Sequence, residues 1–146
     1  MMLPALLVLL ASAAAAGGSN ITFIGVAQPE RARVNWVLKC QGCHRPDGSG
    51  SPHTAPALAG QVARFVGLPG GREYLGRVPG VADAALDNKE LAELLNWTLQ
   101  RFDRGHLPPN FRPYDAAELA ALRRAPLRTD ASQMRRTILQ APHAIR

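Results

Sequence analysis

Cys40-Gln41-Gly42-Cys43-His44 puts two thiols three residues apart and an imidazole directly after the second. Thiols at that spacing share one helical turn, so both can add to the vinyl groups of a single porphyrin, with the adjoining histidine held under the iron as its axial ligand. The pentapeptide therefore reads as a c-type haem attachment site, in which Cys40 and Cys43 are the covalent tethers and His44 is the metal ligand. It uses both cysteines of the chain and leaves no thiol for a disulfide framework or a four-sulfur cluster. Structural zinc asks for four Cys or His ligands, and outside the pentapeptide only His53, His106 and His143 remain, without a paired spacing. A thiol–disulfide exchange motif would open a helix in an alternating strand and helix pattern, and no such strands are legible.

The elements that must hold this turn are helical. Pro29 and Glu30 open a run with Val34, Val37 and Leu38 on one stripe and no Gly or Pro before Gly42, which predicts a helix from Glu30 to about Cys43. Residues 45–60, rich in Pro, Gly, Ser and Asp, are expected as loop. A short helix is expected from Leu58 to about Leu68, broken by Leu68-Pro69-Gly70-Gly71, with a further turn over Arg72 to Arg77. Asp87 with Glu90 three residues later makes a capping box ahead of Leu91, Leu94, Leu95 and Leu99. On that helix Glu90, Glu93 and Gln100 are expected to point away from the apolar face. Beyond Asp103, Pro108-Pro109 and Pro113 predict an extended linker and Ala116 to Arg124 a short helix with Leu119 and Leu122. The last twenty residues, with Arg135-Arg136 and few large apolar groups, are expected to be loosely packed or disordered.

Leu3 to Leu10 is almost wholly aliphatic and Ala11 to Ala16 supplies small residues, so residues 1–16 read as a secretory signal. The apolar stretch is shorter than the roughly twenty residues that span a bilayer, which favours a soluble exported protein over an anchored one. The rest of the chain has the length of one domain. Charge is uneven: residues 17–100 hold eight Lys or Arg against seven Asp or Glu, and residues 101–146 hold nine against four. A basic exported chain suits an acidic protein partner or anionic lipid better than nucleic acid, although solvated surface arginines are the simpler reading.

Between about residues 29 and 102 the chain resembles a class I bacterial cytochrome c. Besides Cys40, Cys43 and His44, the resemblance rests on Ala32 and Trp36, eight and four residues before the first cysteine, and on Pro56-Ala57-Leu58-Ala59-Gly60, which begins twelve positions after His44. It implies an all-α fold, three to five helices around one covalently bound haem c. It also implies that the Pro56 carbonyl accepts a hydrogen bond from the far ring nitrogen of His44, and that Leu94 and Trp97 cross the first helix near Ala32 and Trp36. The expected divisions are a signal peptide over 1–16, the cytochrome domain over 17–103 and a basic extension over 104–146.

The implied function is one-electron transfer in the periplasm between a dehydrogenase and an acceptor, with redox proteins as partners, a periplasmic dehydrogenase or oxidase among them, and neither nucleic acid nor a firm membrane anchor. Val37, Leu58, Val62, Phe65 and Leu94 are the expected core or pocket residues. One part of the family pattern is missing. Class I members supply a distal Met from the loop before the last helix, and here Arg77 to Asp83 occupies that place with Val81 about where Met would stand. His106 is the nearest candidate in sequence, His53 belongs with the proximal loop, and Met134 and His143 would require the tail to wrap the domain. An open iron position is the alternative, which would suit a small-ligand sensor or a peroxidase-like enzyme.

Overall fold

The computed structural model describes residues 22–52 and 54–141. The expected signal segment, His53 and His143 lie outside them. Helix α1 (Pro29–Lys39) starts at a proline, carries Glu30 in its first turn and Lys39 in its last, and so suits the helix dipole at both ends. It stops one residue before the first thiol, and a separate turn, α2 (Gln41–His44), comes next. The expected single helix to Cys43 is thus broken at Cys40, where φ is −123° and ψ is −40°. A 3-10 segment (Val62–Gly67), α3 (Gly71–Arg77), α4 (Pro79–Ala82) and the long α5 (Asn88–Asp103) complete the part before Arg104. Among the described residues the extended pairing is one isolated bridge, Ser51 with Ala55. Among the described residues the chain is all-α, with five α-helical segments before Arg104.

α1 and α5 cross through Ala32, Trp36, Leu94 and Trp97, the four residues expected at that crossing. Ala32 and Trp36, four apart, share one face, and the small Ala32 lets the helices approach. The aliphatic stripe expected to be inside is on the outside: Val34 is 45% exposed, Val37 42% and Leu38 69%. Of the residues expected in the core or the pocket, Val62, Phe65 and Leu94 are buried, Leu58 is half-buried against both clusters, and Val37 stands on the exposed stripe just before the attachment turn.

α5 begins as expected, with the Asp87 carboxylate accepting from Glu90 N at 2.8 Å. Its polar residues are not solvent-facing, however: Glu93 is 5% and Gln100 4% exposed. The segment before α1 covers that side of the helix. Gln100 donates to Ile24 O at 2.8 Å and accepts from Ile24 N at 2.7 Å, while Glu93 accepts from Gln28 N at 3.3 Å and from Arg31 Nη2 at 3.2 Å. A buried amide or carboxylate is tolerated where it replaces water for an otherwise unpaired backbone, as both do here. Asn96, fully buried in the middle of α5, donates to Gly25 O and Tyr114 O and accepts from Tyr114 N, joining the beginning of the described chain to its C-terminal part.

As far as Ala141 the extension is packed, which corrects the expectation of a loose tail over those residues. α6 (Ala116–Leu122) and α7 (Ala131–Gln140) bury Leu119, Leu127 and Ile138 in the same cluster as Phe65, Leu75, Leu91 and Leu99. Few large apolar residues are present, but those few go inside, and arginines make the rest of the joint. Arg72 reaches Glu118 through Nε and Nη2 at 2.6 and 2.7 Å and also donates to the Arg112 and Pro113 carbonyls. Burial alone would raise the Glu118 carboxyl, but the Arg72 fork and Arg112 more than offset it and hold it below the usual carboxylate range.

Candidate haem attachment site

The attachment turn continues the backbone hydrogen bonding of α1 with a small change of axis. Cys40 N donates to Trp36 O at 2.9 Å, Cys43 N to Cys40 O at 3.2 Å and His44 N to Cys40 O at 3.0 Å. Both cysteines are free thiols on this one turn, Cys40 half-buried beside the Trp36 cluster and Cys43 exposed. Burial, with a smaller contribution from Cys43, pushes the Cys40 thiol up to about 11. It is therefore protonated at neutral pH and a poor nucleophile unaided.

His44 Nδ1 lies 3.0 Å from the Pro56 carbonyl. A carbonyl only accepts, so the imidazole carries its proton on Nδ1 and keeps the Nε2 lone pair free to bind a metal. Burial lowers the His44 pKa against the opposing effect of the Pro56 bond, which favours the neutral ring that ligation requires. The Trp36 ring lies tilted towards the imidazole at a ring separation of 6.1 Å and packs, also tilted, against Phe102 at 4.5 Å.

Residues 45–60 are folded onto this turn by short-range bonds. Ser51 Oγ donates to Cys43 O at 2.8 Å and Gly50 N to His44 O at 3.0 Å, while Leu58 N and Ala59 N both donate to Gly48 O. Gly50 has φ +76°, and a Cβ there would stand 2.6 Å from Ala55 O, so the loop closes only with glycine at that position.

On another side of the turn lies an open cleft of about 310 Å³ lined by Leu38, Lys39, Pro79, Gly80, Asp83, Ala84 and Ala85. Leu38 and Lys39 are the last residues of α1, directly before Cys40; Cys40, Cys43 and His44 themselves do not line the cleft. Among the described residues no three His, Cys, Asp or Glu side chains converge as a bare metal ion would need. Two free thiols on one turn and a neutral imidazole with its Nε2 free do fit a tetrapyrrole that brings its own metal.

Cys40, Cys43, His44 and Pro56 are thus brought together. His106 is placed elsewhere: its Nδ1 bonds the buried Asp103 carboxylate, whose other oxygen accepts from Ala63 N, at the far end of α5. α5 is 16 residues long, about 24 Å at 1.5 Å per residue; His106 follows its C-terminal end, whereas the cleft residues Pro79 to Ala85 precede its N-terminal end. Met134 packs on the apolar core from α7. Sequence reading missed Arg123, whose guanidinium binds the cleft wall; one arginine of an Arg-Arg pair carries no local signal of such a role.

An all-α chain whose first and last domain helices cross beside a Cys-X-X-Cys-His turn, with the histidine oriented by a loop carbonyl, has the architecture of a c-type cytochrome. No family model matches the chain. It is 31% identical over 118 residues to one cytochrome c-552 of Thermus thermophilus, covering 68% of this chain and 78% of that protein. It is also 33% identical over 114 residues to a second cytochrome c-552 of the same species, covering 66% of this chain and 86% of the relative. The chain belongs to the cytochrome c family: it is an electron carrier rather than an enzyme, and membership implies covalently bound haem and redox protein partners. Among the described residues no helix is long and apolar enough to cross a membrane.

Proposed function

We propose that this cytochrome carries single electrons in the periplasm, between a dehydrogenase and an acceptor such as an oxidase, through one haem c held by Cys40, Cys43 and His44. The observation that carries the assignment is the 3.0 Å bond from His44 Nδ1 to Pro56 O, which leaves Nε2 free beside two unpaired thiols. The haem supplies the Fe(II)/Fe(III) couple. The chain supplies everything that makes the couple usable. Cys40 and Cys43 tether the ring, His44 ligates, and Pro56 fixes the tautomer and raises ligand basicity. Trp36, Leu58 and Leu94 exclude water next to the turn, which limits the reorganisation that accompanies each electron. In this reading residues 1–16 direct export, 17–103 form the haem domain and 104–146 form an extension that braces it.

His44→Ala in the exported protein tests the assignment, because it removes the ligand and leaves both tethers. Haem stays attached, and protein-film voltammetry loses the wild-type couple. A couple unchanged in potential and reversibility contradicts the role given to His44.

A further inference from the structure

A column of aromatic rings runs from His44 to the surface at the C-terminal end of α5. The His44 imidazole lies 6.1 Å from Trp36, ring centre to ring centre, and Trp36 lies 4.5 Å from Phe102 and 6.1 Å from Trp97. Trp97 in turn stacks with Phe23 at 6.1 Å. Trp36 and Trp97 are buried, whereas Phe102 and Phe23 are half-buried, so both branches of the column end on rings that reach the surface.

The outer rings carry arginines. The Arg101 guanidinium lies 5.5 Å from the centre of the Phe102 ring, and that of Arg104 lies 5.7 Å from the centre of Phe23. Arg101 and Arg104, with Phe23 and Gln100, line one open cleft of about 400 Å³. Arg64 joins this end of α5 through Gly60, whose carbonyl accepts from Arg64 Nε and whose N–H donates to Phe102 O. All eleven Asp and Glu of the chain lie among the described residues, and none of them forms an ion pair with Arg64, Arg101 or Arg104. The acidic groups of the adjoining segments are engaged elsewhere: Asp103 is buried and bonded to Ala63 N and His106, and Asp47 accepts from Ser49 N beside Arg45. Other arginines spend their forks inside the fold, Arg72 on Glu118 and Arg123 on the carbonyls of Ala82, Ala84 and Leu86. The three at this end of α5 are exposed and their charge is uncompensated.

We infer that the face formed by Phe23, Phe102, Arg101 and Arg104 is a docking surface for an acidic one-electron redox protein. This rests on the haem assignment proposed above. Aromatic rings and arginine are the groups that protein interfaces concentrate at their centres, and uncompensated guanidiniums draw in an acidic partner and fix its orientation. Electron tunnelling weakens steeply with distance and passes better through packed atoms than across gaps. A partner seated on Phe102 is joined to the His44 ring through Trp36, a connection that a basic patch elsewhere on the surface would lack.

The test uses full-length holoprotein and flavodoxin, a small acidic flavoprotein. Covalent haem is first established by intact mass; a bare polypeptide defeats the haem assignment, and this inference with it, and is recognised at that step. One electron then passes from the anionic flavin hydroquinone to Fe(III), giving the neutral semiquinone and Fe(II) with no proton transferred. Replacing both Arg101 and Arg104 by Glu is expected to lower the second-order rate constant at low ionic strength by about tenfold or more and to flatten its fall with added salt. The double Lys replacement, which keeps the charge, should stay within about threefold of wild type. Because Arg104 also bonds Thr22 O, Arg101→Glu is measured alone as well and is expected to lose about threefold. The same reversal of net charge on the extension, Arg124→Glu with Arg136→Glu, is the control and should cost less than the pair on α5. Amide shifts of the holoprotein titrated with oxidised flavodoxin should move at residues 22–24 and 100–104. Equal slowing by the two charge reversals, or shifts confined to residues 40–56, would overturn the inference.

Discussion

The two loops beside the attachment turn are held by opposite strategies. Residues 45–60 are secured from within, by bonds to His44, Cys43 and Gly48 that span at most a dozen residues. Residues 78–86 are secured from outside, by an arginine 37 to 41 positions further along the chain. The proximal side of the site is therefore a local property of the sequence. The cleft wall is a property of the tertiary fold and depends on the extension being docked.

Loosening the extension separates the two loops most clearly. Leu119→Ala empties a fully buried position under α6 and is expected to cost about 3 kcal/mol in denaturant unfolding. Hydrogen exchange should then lose protection at residues 78–88 while residues 48–60 keep theirs. Equal loss in both loops would mean that the proximal loop also relies on the extension.

Acid makes a gentler version of the same cut. The Glu118 carboxyl is depressed in the folded chain, so its contribution is fully present above the unfolded value and is lost as pH falls through the folded one. Glu118→Gln is therefore expected to lower the melting temperature at neutral pH and to converge with wild type in acid. A gap that stays constant across that range would show that the ion pair contributes nothing pH-dependent.

The smallest effect concerns the loop that holds itself. Arg45 comes directly after His44 with φ 63° and ψ 160°, a region that suits glycine almost alone. Arg45→Gly is expected to stabilise the protein by about 1 kcal/mol without moving the reduction potential, as read by denaturation and voltammetry. A loss of stability would show that the arginine side chain outweighs the strain.

Legibility in the sequence divides along the same line. The attachment turn and the Asp87 cap lie in local patterns of a few residues and stand where the spacing put them, while the Pro56 bond to His44 and the Ala32–Trp36 crossing stand where the resemblance implied them. Glu93 and Gln100 misled because their partners, Gln28 and Ile24, lie over 60 residues away. The extension misled for a related reason: its hold depends on Arg72, Arg77 and Arg123 meeting carboxylate and carbonyl oxygens, and an arginine count cannot distinguish a fork in use from one in water.

The claim beneath all of this is that the chain is covalently loaded with haem at Cys40 and Cys43. The intact mass of protein matured in a host with working haem-ligation machinery measures that directly. The mature polypeptide should exceed its amino-acid mass by one haem, and the excess should vanish in the Cys40→Ala, Cys43→Ala double variant. A wild-type mass equal to the bare polypeptide, or an excess that survives the double substitution, would contradict the account.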